Sequence, residues 1–557
     1  MRVNFEMSAE EVETYRFVEI IARVEQPCFV NPYTDAELFG LFGEDKEPFT
    51  FQHGLPDGQL GTASNRDELI PVDGFCDSAD GSLFRIRFMP TIEGVYTYKV
   101  IFKHGNQSFS SEGKFTANNI GRKGLLRVDS EFPSHFIWEN TGDHFFYNGM
   151  TAYHLLGLRD EEEIKKALDR LHKHKVNRIR IAMQSSRVRN GMAWFEPVYE
   201  SDEFKFLFSP WEADRLEDYD NPGWDTSRFH LPFWRKLERV LSYALEKEMS
   251  VSLIMYLDAY REGCDPFASG LFGGRDEQHY FRYAAARLSA YPNLTWDLTN
   301  EYRLIRPREW VERMGYLLKS CDPYRHLVTC HGHGTFEFRG SGWADFAVYQ
   351  SWDEHGGYEY MLRNRNEQQA TGRMIPQINE EYGYEDHYPA AWGAGKSYPA
   401  RSADRLRRTA WEITMAGGYQ TSGEYAGNGL GGWLNGRGDD SMRLPEALSH
   451  LVAFFEAIEW WKLVPDQTFL NADTGQYGLA DPSRLYVVYA CDGGPIDMKL
   501  PEGKYEIMIY NPVDGSSRHT LQYGVESVNQ YVALQCPTDD QDWAVLIQAL
   551  QHGIHSE

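Results

Sequence analysis

The chain has 557 residues, 42% of them hydrophobic and 25% charged, which is ordinary globular composition and excludes general disorder, collagen and coiled coil. Acidic residues outnumber basic ones by 82 to 56, a net charge of −26. Such a surface repels phosphate backbones and anionic lipid, and no basic run offsets it, so neither nucleic acid nor membrane is an expected partner.

Residues 1–121 read as all-β. Phe84, Ile86 and Phe88 alternate with Arg85 and Arg87; Tyr96, Tyr98, Val100 and Phe102 alternate in the next run; Pro90 to Gly94 turns between them. Period-two patterning with frequent turn residues predicts an N-terminal β-sandwich. From 122 to 463 short β-type runs alternate with helical patterns. The first strand is HFFYNGMTAYHL. A helix follows, with Asp160 as N-cap, Glu163 as capping-box partner, and Ile164, Leu168 and Leu171 as its buried stripe. Then come NRIRIAM (177–183), a helix over 233–248, SVSLIMYLD (250–258), a helix and NLTWDLTNE (293–301). A helix from near Pro307, HLVTCHGHG (326–334), FAVYQSW (346–352) and MIPQINEEYG (374–383) continue the series. A helix from about Ser402, GGYQTSGEY (417–425) and a long helix from Leu444 close it.

Eight strands mostly separated by helices predict an α/β fold built on a (β/α)8 TIM barrel. It is longer than usual because about 45 residues, with Trp194, Trp211 and Trp224, lie between strand two and its helix. A doubly wound open sheet is the alternative, disfavoured because no glycine-rich phosphate loop follows the first strand. Residues 464–557 return to β, in RLYVVYA, KYEIMIYNP, QYVALQC and DWAVLIQAL, and predict a C-terminal β-sandwich. Trp460 and Trp461, late in the final helix, read as core against it. The two sandwiches read as buttresses or homo-oligomer contacts, with sugar-binding modules as the alternative. The seven cysteines show no CxxC pair, which argues against a disulfide framework or zinc cluster. No apolar segment resembles a signal peptide or approaches the ~20 residues of a membrane span, so a cytoplasmic location is expected.

Asn-Glu occurs three times, at Asn300, Asn366 and Asn379. Asn366–Glu367 lies in a polar run and reads as solvated surface. Asn300–Glu301 ends the fourth predicted strand and Asn379–Glu380–Glu381 the seventh, on the same barrel rim. Two carboxylates facing each other there suit glycoside cleavage. One protonates the leaving oxygen and the other stabilises or attacks the anomeric centre. His154 ends strand one, and His331 and His333 end strand five. A sugar-hydroxyl contact is the reading for His154 and His331, against a structural histidine. A metal-dependent hydrolase is the rival, although its strand-one HxH is missing (AYHLL), and no cofactor is expected. Asp258 and Gln350 are candidate subsite groups, and Trp352 and Trp433 candidate stacking platforms or core. Glu424 ends strand eight as a substrate contact or a brace.

These motifs resemble the clan of retaining (β/α)8 glycoside hydrolases. There the acid/base Glu follows an Asn at the end of strand four and the nucleophile Glu ends strand seven. The resemblance implies Glu301 as acid/base and Glu381 as nucleophile, since Glu381 precedes Tyr382 and Gly383 as the clan's nucleophile precedes an aromatic and Gly. It implies Arg180 and Tyr349 as groups holding the nucleophile, and Asn300 on a sugar 2-hydroxyl. Strand alternation would turn Glu380 to the other face as an outer acceptor. The three-block layout is similar to a branch with an NPY motif (Asn31-Pro32-Tyr33), Gly74-Phe75, Arg87-Phe88-Met89-Pro90 and Gly94 in its first sandwich, and an apiosidase-like barrel. A carbohydrate substrate is the implied partner, and a binding protein on a retired barrel the alternative.

Overall fold

The computed structural model describes residues 1–45, 69–183, 209–215, 222–257, 265–267, 272–332, 334–351, 357–385, 402–424, 436–438, 441–471, 475–527 and 531–550. The central sheet has eight parallel strands. They are β1 (Asn148–Thr151), β2 (Arg178–Ala182), β3 (Ser250–Ile254), β4 (Leu294–Asp297), β5 (Val328–Thr329), β6 (Ala347–Gln350), β7 (Gln377–Glu381) and β8 (Tyr419–Gly423). Their spatial order is β5-β4-β3-β2-β1-β8-β7-β6. Every neighbour is consecutive around a ring, as in a barrel; a doubly wound sheet would reverse its order in the middle. The ladder stays open only between β5 and β6. There Asp345 N donates to Val328 O at 2.9 Å and Thr329 Oγ1 to Phe346 O at 2.7 Å.

Runs such as RIRIA and SVSLI are buried at every position, as strands covered on both faces must be. The covering helices are α1 (Glu161–Lys173), α2 (Leu231–Glu246), α3 (Arg275–Leu288), α4 (Arg308–Cys321), α5 (Tyr358–Thr371), α6 (Ala403–Met415) and α7 (Leu444–Glu456). In α1, Ile164, Ala167, Leu168 and Leu171 face the barrel, one stripe of a 3.6-residue period. Asp160 caps it by accepting from Glu162 N at 2.9 Å. No capping box closes: Glu163 turns its carboxylate to Lys166 and Arg437.

The first predicted strand is two pieces. His144–Phe145 belongs to a small antiparallel sheet with Leu126–Val128 and Phe136–Trp138, and β1 starts at Asn148. Trp460 and Trp461 also differ from expectation. Helix α7 ends at Glu456, and both rings cover this small sheet instead of the C-terminal sandwich. Trp461 stacks on His144 at 4.0 Å and Trp460 packs edge-on to Phe146 at 5.4 Å.

Among the described residues, 2–44 and 70–118 form two facing sheets of four and five strands, whose alternating Phe84, Ile86, Phe88, Tyr98, Val100 and Phe102 fill the space between them. Beyond α7 a six-stranded antiparallel sheet (464–549) shares a core with a two-stranded one, Pro495–Lys499 with Tyr531–Gln535. The six-stranded sheet docks on α6, where Trp411 stacks on Tyr489 at 5.2 Å and Arg407 pairs with Asp542.

Candidate active site

The C-terminal ends of β1, β2, β4, β5 and β7 converge on one buried polar cluster. Arg178 and Arg180 lie two apart on β2, so both point into the barrel, and they are 1% and 0% exposed. Arg178 Nη1 donates to both oxygens of Glu380, at 2.8 and 3.1 Å. Arg180 distributes its donors more widely. Nε lies 3.2 Å from Glu380 Oε2, Nη1 3.5 Å from Glu381 Oε1, and Nη2 3.7 Å from Asp297 Oδ2. Nη2 also donates to Asn300 Oδ1 at 3.1 Å and Nη1 to the Tyr153 hydroxyl at 3.0 Å.

Glu381 closes β7 and is 5% exposed. Its Oε1 accepts from the Tyr153 hydroxyl and lies 3.8 Å from His331 Nδ1. The same His331 nitrogen bonds Asn300 Oδ1 and sits 3.4 Å from Glu301 N. Arg180 Nη2 is a permanent donor to Asn300 Oδ1, which fixes the amide and leaves Nδ2 as the group with donors to offer. Glu301 follows in left-handed backbone, φ +41° and ψ +54°, which a residue with a Cβ adopts only when its surroundings enforce it. Those surroundings are bonds on both sides: Asn300 N to Tyr256 O at 2.9 Å and Tyr302 N to His331 O at 3.1 Å. Glu301 itself is half-buried.

Burial dominates the electrostatics. It pushes the Asp297 carboxyl up to about 7, against the pull of Arg180 and with the push of Glu380. It lowers Arg178 to about 10, although Glu380 opposes this. It raises Tyr153 and Tyr384 well above the ordinary phenol range, with Glu381 adding to both shifts, so both keep their protons.

The structure thus brings Arg180, Asn300, Glu301, His331 and Glu381 together. His154 is buried beside Tyr153, with ring centroids 6.4 Å apart. Gln350 ends β6 opposite Glu381, and its buried Oε1 has no hydrogen-bond partner among the described residues. Glu424 is gripped by both terminal nitrogens of Arg170 on α1. Asp258, His333, Trp352 and Trp433 lie outside the described residues.

Two expectations are corrected. Tyr349 does not hold Glu381. Its hydroxyl accepts from Gln368 Nε2 at 3.2 Å, and that residue is on α5, so the side chain points to the helix layer. Glu380 does not turn away from the site. The β6–β7 register passes from Tyr349↔Asn379 to Gln350↔Glu381, so Glu380 is the extra residue of a bulge and alternation resets there. Both glutamates consequently reach Arg180. The sequence reading missed Arg178, Asp297, Tyr153 and Tyr384. The paired arginines of RIRIA and the Asp closing β4 were visible signals; Tyr153 and Tyr384 stand beyond strand ends, where period-two patterning gives no direction. Among the described residues no three His, Cys, Asp or Glu side chains are grouped to hold a metal ion.

A family model described as "Apiosidase-like, catalytic domain" matches residues 133–443. A solved structure of a candidate glycoside hydrolase from Bacteroides vulgatus ATCC 8482 superposes with a TM-score of 0.75 at 19% identity, over 97% of this chain and 100% of that one. A glycoside hydrolase family 5 protein of the same organism gives 0.59 at 17% identity, over 77% and 93% of the two chains. Another structure described as a glycoside hydrolase gives 0.60 at 17%, over 77% and 97%. At these identities the likeness is one of fold. No curated protein matches the sequence at a significant level.

Proposed function

The chain belongs to the apiosidase-like family and is a glycosidase, and from that premise we propose that it acts with retention, through Glu381 as nucleophile and Glu301 as acid/base. The observation that carries this reading is the treatment of the two carboxyl groups. Glu381 is buried and oriented by Arg180, Tyr153 and His331, as a nucleophile must be. Glu301 stands half-buried on the neighbouring rim, in enforced backbone, as suits a group that exchanges protons with a leaving oxygen and with water.

Glu381 attacks the anomeric carbon while Glu301 gives its proton to the departing oxygen, which leaves a glycosyl ester. Glu301, now ionised, takes a proton from water as that water displaces the ester. Asn300 Nδ2 is the donor for the sugar 2-hydroxyl, and Gln350 Oε1 an acceptor for a neighbouring hydroxyl. His154 and His331 are proposed as further contacts to sugar hydroxyls. The substrate class is a small glycoside or oligosaccharide, and the family's description makes an apiofuranoside the first sugar to try. We place the action in the cytoplasm.

The test is a panel of aryl glycosides, with β-D-apiofuranoside and α-L-arabinofuranoside among them. One member is cleaved, and Glu301→Ala and Glu381→Ala each lose several orders of magnitude. Azide partly restores the Glu381 variant and yields a glycosyl azide of inverted configuration. Turnover that survives both substitutions refutes the assignment. A trapped fluoroglycosyl complex should show the two carboxyl groups about 5–5.5 Å apart; about 9 Å would indicate inversion.

A further inference from the structure

The turn that carries Glu301 is tied down at both ends. At its start, Asn300 N and Thr299 Oγ1 donate to the Tyr256 carbonyl at 2.9 and 3.1 Å. Within it, Leu304 N donates to Glu301 O at 2.9 Å and Arg306 N to Tyr302 O at 2.7 Å. At its end stands Arg306, 4% exposed. Its terminal nitrogens fork onto Asp265, Nη1 to Oδ2 at 2.5 Å and Nη2 to Oδ1 at 3.1 Å. Nη2 also donates to Glu277 Oε1 at 3.1 Å, and the other oxygen of Glu277 accepts from Trp310 Nε1 at 2.9 Å. Asp265 lies between β3 and α3, Glu277 in the first turn of α3 and Trp310 in the first turn of α4. One side chain thus joins these three places to the turn that follows β4. The guanidinium carbon is 4.6 Å from the ring centroid of Tyr256, the residue whose carbonyl holds Asn300, so the two ends of the turn share a support. Burial works against the guanidinium charge, and the carboxylates outweigh it, so Arg306 stays charged.

We propose that Arg306, through its fork onto Asp265 and Glu277, is the positioning residue of the acid/base: it fixes the 301–306 turn and with it the reach of the Glu301 carboxyl to the leaving oxygen. This rests on the reading of Glu301 as acid/base. Glu301 needs such support, because its left-handed backbone is costly and persists only where the surroundings enforce it. A general acid must also stand within hydrogen-bond reach of the oxygen it protonates. A displacement of about 1 Å is enough to cost roughly a hundredfold in rate. Arg306 acts through the turn and not on the sugar. Its loss therefore slows proton delivery to the leaving oxygen and proton removal from water, while the attack by Glu381 keeps its geometry.

Two variants grade the test. Asp265→Asn keeps the shape and removes one charge of the fork; Arg306→Met removes the fork itself. Each is assayed on two glycosides of the sugar that the wild type cleaves best. Phenol needs a proton to depart and dinitrophenol does not. In both variants kcat/KM should fall by about ten- to a hundredfold for the phenyl glycoside and by less than about threefold for the dinitrophenyl one. Azide, which attacks without a base, should raise kcat on the dinitrophenyl glycoside and give a glycosyl azide of retained configuration. Equal losses for both leaving groups, or no loss in either variant, overturn the proposal. Glu301→Ala is the reference: if it slows both glycosides alike, the acid/base reading itself fails and the proposal falls with it. If it shows the leaving-group dependence and the Arg306 and Asp265 variants do not, only the proposal fails. A second arm needs no substrate. Hydrogen exchange over residues 299–306 should quicken by about tenfold or more in both variants, while β1 and β8 keep their wild-type rates. Unchanged exchange over 299–306 overturns the proposal, and so does a rise shared by β1 and β8, which would make Arg306 a general brace.

Discussion

Around Arg180 the barrel interior holds three carboxylates, Glu380, Glu381 and Asp297, and two guanidinium groups, all close to fully buried. Two cations cannot balance three anions in a medium that solvates charge poorly, and the residue that yields is Asp297, raised to about 7. The consequence for stability has a definite sign. In the unfolded chain this carboxyl ionises near its ordinary 3.8, so between about pH 4 and 7 the native state binds the extra proton and stability declines as pH rises. Asp297→Asn removes that titration. Its carboxamide oxygen can still accept from His331 N, a bond of 3.2 Å in the native protein. The unfolding midpoint of the variant should therefore fall less between pH 4 and 7 than that of the wild type, measured by urea titration at each pH. Parallel curves would mean that Asp297 is ionised throughout. None of this was legible in the sequence, because Asp297 looks like any strand-end acid until two arginines and two glutamates are known to share its space.

At the scale of elements, what could be read was whatever periodicity controls. The strand cores, the buried stripe of α1, its N-cap Asp160 and the start of a helix near Ser402 all appear in the fold. What could not be read were departures from period. The bulge at Glu380 shifts alternation by one residue, so the sequence placed that glutamate on the wrong face. Tyr349 and Tyr153 show the same limit. One is in a strand and faces outward, the other follows a strand and faces the nucleophile. The Asn31-Pro32-Tyr33 motif was visible only as a resemblance, and its physical role is a clamp. Asn31 Nδ2 donates to Ser227 O and Oγ at 3.1 and 2.9 Å, and the Tyr33 hydroxyl to Phe229 O at 3.2 Å. Both acceptors lie on the hairpin Trp211–Ala213/Trp224–Phe229, inside the long insertion between β2 and α2. Asn31→Ala loses these bonds and the cap that Asn31 Oδ1 provides to Tyr33 N. It should destabilise the protein by about 1–2 kcal/mol in a denaturant titration. A loss of a few tenths would show that Tyr33 alone holds the hairpin.

The same contact belongs to a larger joint that makes the N-terminal sandwich part of the barrel's outer wall. Arg87 alternates outward from the sandwich core, as its strand pattern requires, yet it is only 6% exposed. Its partners come from the barrel: Glu238 of α2 at 2.6 Å and the Arg287 carbonyl of α3 at 2.7 Å. Arg287 in turn reaches Glu238 at 2.6 Å and Asp77 of the sandwich at 3.0 Å, so the charges alternate across the boundary. Burial and the two arginines act on Glu238 in opposite directions, and the arginines prevail, holding it below the ordinary carboxylate range. Glu238→Ala would leave two buried guanidinium groups without their shared anion, which costs roughly 3–5 kcal/mol where a buried pair is broken from one side. Because the loss falls at the joint, its signature should be thermal as well as energetic. Wild-type protein should unfold in one calorimetric transition spanning sandwich and barrel. In Glu238→Ala an earlier transition should separate from the main one, and brief proteolysis below it should release the first ~120 residues while sparing the rest. A single transition merely shifted to lower temperature would place the cooperativity of the two parts in the apolar contacts beneath the ion network instead.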